Sequence, residues 1–171
     1  EFRRVLFRSL TWGRKSDWIP TFCGTAGSLA VEGMLLAPVG ERGFLYQLTV
    51  RSTSDKPLSS TFGLEGCWAS AWHCVNEDKE IDGARRCYTS LWNDSLIFDM
   101  RCGLPLFAFA PMMDQPCSST FQETDAGIVY RLAHACTLEP GEAVTVTFYW
   151  GVGFEEVAAA TSAKEMLRQG S

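Results

Sequence analysis

The densest concentration of side chains able to do chemistry lies between Gly66 and Asn93, where Trp68, Trp72, His73, Tyr88 and Trp92 share a stretch with Cys67, Cys74 and Cys87. An indole presents a flat, electron-rich face that can stack on the C–H face of a sugar ring, and a neighbouring imidazole or carboxylate can bind the sugar hydroxyls. Trp68, Trp72, His73 and Trp92 are therefore the candidate substrate-binding residues. The competing role of each Trp is to fill a sheet core, which requires only one partner for its indole N–H. Binding residues collect on the loops at the ends of a sandwich. A sugar-facing role thus predicts at least one of Trp68, Trp72 and Trp92 exposed near the polar loop Asn76 to Gly83.

Other chemistries fit the sequence less well. Zinc would need four tetrahedral nitrogen or sulfur ligands. Cys67, His73, Cys74 and Cys87 supply the right atoms, but the spacing C-x5-H-C-x12-C matches no common zinc motif. On a strand the adjacent His73 and Cys74 would also point to opposite faces. No metal or other cofactor is expected. No G-x-S-x-G elbow is present, both histidines (His73 and His134) sit in strand-like contexts, and Cys102 before Gly103 reads as a buried thiol. Glycoside hydrolysis needs two carboxyl groups across a cleft. Glu77-Asp78 and the Glu80 and Asp82 pair lie in the polar loop and read as solvated. Glu155-Glu156 read as first-turn residues of a helix, placed there to favour its positive end. No catalytic residue is assigned.

The elements that would position these side chains are mostly strands. Phe44, Tyr46, Leu48 and Val50 alternate with Leu45, Gln47, Thr49 and Arg51, the period of a half-buried strand. Ser28 to Ala37 and Phe44 to Ser52 pair as a hairpin across Val39 to Gly43. Ser59 to about Trp68 is a strand, and Arg85 to Trp92 pairs with Ser95 to Arg101 across Asn93-Asp94. Pro105 to Ala110 is a short strand and Pro111 to Ser118 a loop. Ser119 to Glu123 pairs with Gly127 to Cys136, and Ala143 to Gly151 follows the tight turn Glu139 to Glu142. Thr11 to Gly27 reads as irregular with one short edge strand. About nine strands on short turns predict an all-β, antiparallel β-sandwich. Phe154 to Gln169 is rich in helix formers, with Val157, Ala160, Thr161, Lys164 and Leu167 along one face and Gly170 as its stop.

A net charge of −5 without a basic stripe excludes nucleic acid as a partner class. No apolar run approaches the roughly 20 residues of a membrane span. Seven cysteines with no C-x-x-C pair read as buried, reduced thiols, which points to a cytoplasmic location. Residues 1–9 share no turn or strand logic with the rest of the chain, and Leu6 to Ser9 reads as translated sequencing-adapter DNA. The expected organisation is an artefact over residues 1–9, a sandwich domain over 10–153 and a linker helix over 154–171 that leads to a missing catalytic domain.

Several phrases resemble one family context: Asp17-Trp-Ile-Pro20, Glu41-Arg-Gly-Phe44, Trp92-Asn-Asp-Ser95, Phe107-Ala-Phe-Ala-Pro111, and Tyr149-Trp-Gly-Val-Gly-Phe-Glu-Glu156 before an Ala-rich helix. Together they resemble the N-terminal sandwich of bacterial glycoside hydrolases with an (α/α)6 six-hairpin barrel, the glucoamylase-like and debranching-type enzymes. The resemblance implies a supersandwich-like fold and a non-catalytic role. It also implies a downstream (α/α)6 domain in cis as partner, with an oligosaccharide as ligand. The alternative is an independent carbohydrate- or protein-binding module. The terminal helix separates the two, because a connector should leave an apolar face exposed and a self-contained module should bury it. An intact small enzyme on a mutarotase-like sandwich lacks a well-placed His and carboxylate pair.

Overall fold

The computed structural model describes residues 10–69, 72–73, 79–80, 83–91, 95–101 and 107–170. In chain order come β1 (Thr11–Lys15), β2 (Ile19–Ala26), β3 (Leu29–Leu36), β4 (Gly43–Ser52), β5 (Leu58–Trp68), β6 (Trp72–His73) and β7 (Lys79–Glu80). Next are β8 (Ala84–Thr89), β9 (Leu96–Arg101), β10 (Phe107–Met113), β11 (Ser118–Thr124), β12 (Gly127–Leu138), β13 (Ala143–Gly153) and the helix α1 (Glu156–Gln169). An eight-stranded sheet has the order β1-β2-β3-β4-β13-β10-β9-β8, a three-stranded sheet the order β11-β12-β5, and β6 pairs with β7 alone. All pairings are antiparallel. This is the all-β, sandwich-like fold with one C-terminal helix that the alternation and turns predict.

The period-two pattern on β4 sends Leu48 and Val50 inward, with Tyr46 packed partly buried beside them. They meet Phe22, Val31, Val146 and Phe148 of the same sheet and Phe62, Leu132 and Leu138 of the small sheet. Each such side chain, fully buried, stabilises the fold by about 1.5–3 kcal/mol. On β13 the alternation disappears. Val146, Thr147, Phe148 and Tyr149 are all at most 2% exposed. The reason is double coverage: one face of β13 packs on the small sheet, and the other lies under α1.

The helix is bound closely. Ala159, Ala160 and Ala163 pack on Ile97, and Met166 packs on Leu45 and Tyr149. A Cβ at Gly151 would run into the Ala159 carbonyl oxygen, and one at Gly153 would lie 2.6 Å from the Ala159 nitrogen. Glycine on the strand and alanine on the helix together let the two backbones approach. The buried face is thus Ala159, Ala160, Ala163 and Met166. Of the face expected from spacing, Val157 is 56% exposed, and Thr161 and Lys164 also face outward. Helical composition alone does not say which stripe meets a sheet, and the small residues win because they allow the closest contact. Gly170 ends the helix as expected, with φ of 81° and its N–H donated to the Met166 carbonyl at 3.1 Å.

Three other expectations change. Residues 11–27 are not irregular but form the β1–β2 hairpin, turned by Ser16 and Asp17 at φ of 52° and 65°. Asp tolerates the left-handed region better than most residues, and both lie in the loop that joins Lys15 to its partner Ile19. The expected loop from Pro111 is strand as far as Met113. Asp114 donates its N–H to Thr147 on β13 at 3.1 Å, so the alternate position Pro111 has its ring nitrogen on the side away from β13. On that side β9 pairs only as far as Phe109, so no ladder bond is lost to proline there. Finally, the cysteines are not uniformly buried: Cys87 is buried and Cys136 intermediate, whereas Cys23, Cys67 and Cys117 are exposed. Cys74 and Cys102 lie outside the described residues. Among the described residues no helix is long and apolar enough to cross a membrane.

Candidate functional site

At one end of the sandwich, rings from both sheets form a continuous ladder. Phe44 on β4 stacks on Trp150 of β13, with centroids 5.6 Å apart and planes 11° from parallel. Trp150 meets Tyr130 of β12 edge-on at 5.8 Å, and Tyr130 meets Phe98 of β9 edge-on at 4.7 Å. Phe98 meets Trp68 of β5 edge-on at 5.8 Å. Such contacts contribute about 0.5–1.5 kcal/mol per pair beyond area burial and hold each ring in place.

The ladder does not fill the space between the sheets. Phe44, Cys67, Trp68, Phe98, Tyr130 and Trp150 surround an open recess of about 260 Å³. Gly66 makes room for it from below, because it sits opposite Tyr130 in the register and a Cβ there would strike the phenol ring. Tyr130 is the polar group of the recess that titrates abnormally. Burial pushes its hydroxyl up to about 12, with a smaller contribution from Cys67, so it stays protonated and can both donate and accept. The Cys67 thiol donates weakly to the Ala126 carbonyl at 3.6 Å. Among the described residues no carboxylate lines the recess. Apolar walls with a few placed polar groups are the usual make-up of a small-molecule site.

Of the residues expected to contact sugar, Trp68 is half-buried at this recess. Trp72 and His73 form β6, paired with Glu80 and Lys79, and their side chains lie outside the described residues. Trp92 lies outside them altogether, as does most of the loop from Asn76 to Gly83. Phe44, Phe98, Tyr130 and Trp150 escape a search by proximity, since they are scattered over four strands.

The other candidates resolve into structural roles or open surface. Cys87 packs with Leu96, Phe98 and Ile128, and burial pushes its thiol up to about 12, which suits neither a ligand nor a nucleophile. Among the described residues no three His, Cys, Asp or Glu side chains could hold a metal ion. His134 is held by Nδ1 to the Pro116 carbonyl at 2.9 Å. Glu156 does more than favour the helix dipole: it accepts hydrogen bonds from Tyr88 at 3.0 Å and Ser90 at 2.7 Å, which pins the helix start to β8. Beside it Arg86 pairs with the buried Asp99. A second groove of about 350 Å³ lies over β1 to β4, lined by groups that include Lys15, Thr21, Glu32, Gln47 and Thr49. It is open, and Trp12, Phe22 and Met34 line it beside these polar groups.

Comparison with known proteins places the fold. No protein-family model and no curated protein matches the chain. A solved structure described as "Putative kojibiose phosphorylase from human microbiome" superposes with a TM-score of 0.60 over 88% of this chain, at 13% sequence identity. The chain spans 21% of that protein's length. At this identity the likeness is one of fold: most of this chain's fold also occurs as one part of a larger protein described as a kojibiose phosphorylase.

Proposed function

We propose that this chain is the non-catalytic sandwich domain of a carbohydrate-active enzyme, working in cis with an (α/α)6 catalytic barrel. The observation that carries the reading is the superposition of nearly the whole chain on a fifth of a protein described as a kojibiose phosphorylase. The domain supplies no acid–base pair of its own. It packs on the barrel and presents the recess at Trp68, together with Trp72, His73 and Trp92, towards an oligosaccharide. Residues 154–171 form the link to the barrel, and residues 1–9 stand outside the domain. The exposed free thiols Cys23, Cys67 and Cys117 suit a reducing compartment.

The second reading, an independent binding module, has one specific observation in its favour. The small-residue face of α1 is shut against the sheet, as in a self-contained module, and the apolar exposure at its start is limited to Phe154 and Val157.

The purified chain should release no sugar or sugar phosphate from α-linked glucose disaccharides, with or without inorganic phosphate. The DNA downstream of its gene should encode a helical barrel in frame. Turnover by the chain that is abolished by a single Asp or Glu substitution would overturn the non-catalytic role. A stop codon directly after this domain in the native gene would decide for the independent module.

A further inference from the structure

The recess is built differently from the rest of the core. Elsewhere between the sheets, Phe148, Val146 and Val50 are at most 1% exposed. Here five aromatic rings from five strands enclose space and leave it open. Phe44, at the end of the ladder, is 37% exposed, and among the described residues it stacks on Trp150. Arg42, two residues before Phe44, lies 5.8 Å from the centroid of the exposed Phe154 ring. The Tyr130 hydroxyl makes no hydrogen bond among the described residues.

We infer that the recess at Phe44, Trp68, Tyr130 and Trp150 is a saccharide-binding subsite of the sandwich itself, able to take the end of a neutral hexose chain without the catalytic domain. The inference rests on the reading of the chain as part of a carbohydrate-active enzyme, and it names the site and the ligand class. Two observations select this occupant. The volume of about 260 Å³ lies just below the ~300–1,000 Å³ typical of sites for drug-sized ligands, which suits one or two sugar rings. An α-helix of a partner, about 10–12 Å across, is too thick for it. The near-parallel Phe44–Trp150 pair offers flat, electron-rich faces to the slightly positive C–H face of a pyranose, while Tyr130 supplies a hydroxyl for hydrogen bonds to the sugar.

The test is calorimetric and NMR titration of the purified 171-residue chain with maltose and with cellobiose. Saturable binding is expected with a Kd on the order of a millimolar. Phe44→Ala should weaken it about tenfold or more, by removing the stacking platform. Tyr130→Phe deletes one oxygen and keeps the ring ladder, so it should weaken binding about three- to tenfold without moving the melting temperature. Trp12→Ala, on the 61% exposed Trp of the edge strand β1, should leave binding unchanged. Absence of saturable binding of either sugar would overturn the inference. So would binding that Phe44→Ala and Tyr130→Phe leave intact. These outcomes are independent of the downstream gene: a barrel encoded in frame beside a chain that binds no sugar defeats the subsite alone, and binding beside a stop codon defeats the cis-domain reading alone.

Discussion

Trp150 and Gly151 are neighbours on β13 and face opposite sides of the same sheet. On the side of Gly151, the helix lies so close that no Cβ fits, and Ala159 and Ala163 are completely buried. On the side of Trp150, five large rings meet, three of their four contacts edge to face, and leave a recess of about 260 Å³. Small residues closed one face, and large ones left the other open. The reason is geometric. Alanine and glycine let two backbones approach until nothing can enter, whereas rings locked at steep angles to one another cannot collapse into the gap between them. The closed face holds the C-terminal helix in one orientation, and the open face is where a ligand can be met.

The contrast can be broken most severely at Met166, which is 2% exposed between Leu45 and Tyr149. Met166→Ala should lower stability by about 2–5 kcal/mol in urea denaturation. A loss below about 1 kcal/mol would mean that the helix contributes little. Next is Gly151→Val, which should cost about 1–3 kcal/mol through overpacking and should expose the amides of α1 to hydrogen exchange while those of β5 and β12 stay protected. Equal protection of α1 in this variant would show that the close contact is not required. Replacing Glu156 with Ala strips the acceptor from Tyr88 and from the 1% exposed Ser90, and should cost about 1–3 kcal/mol.

Two tyrosines sharpen the comparison through pH. Tyr88, on the helix side, is pushed up to about 12 by burial and then by its bond to Glu156. Tyr130, on the recess side, is pushed to about 12 by burial. Each is raised above the ordinary value of 10.0, so the folded state favours the protonated phenol. That contribution is fully present below 10.0 and is lost as pH rises towards about 12. Tyr88→Phe and Tyr130→Phe should each flatten part of the alkaline fall in stability. A fall of unchanged steepness in both variants would assign it to other groups. The smallest effect is expected at Phe44, where the ring is partly exposed: Phe44→Ala should change stability by about 1 kcal/mol or less, well under Met166→Ala.

Much of this architecture was legible in the chain. The strand at Phe44 to Ser52 shows its period of two, and the hairpin from Ser119 to Cys136 is announced by Asp125-Ala-Gly127. Gly170 marks the end of the helix. Trp68, singled out from the aromatic density around it, is one end of the ladder. Its partners Phe44, Phe98, Tyr130 and Trp150 were not singled out, since no two of the five lie on the same strand. The hairpin of β1 and β2 was missed because its turn residues, Ser16 and Asp17, are less emphatic than the usual Asn-Gly.

What the sequence determined by itself was local: alternation that makes a strand, turn residues that reverse it, and helix formers bounded by a glycine. These are preferences of a few adjacent residues and do not depend on what lies across the sheet. The tertiary structure decided which stripe of α1 is buried and why Pro111 can sit in a strand. It also decided that Glu156 is a hydrogen-bond acceptor as well as a dipole partner, and that five distant rings enclose a recess. Each of these depends on contacts between residues far apart in the chain, where the closest approach that the backbones allow, and not local propensity, selects the partner.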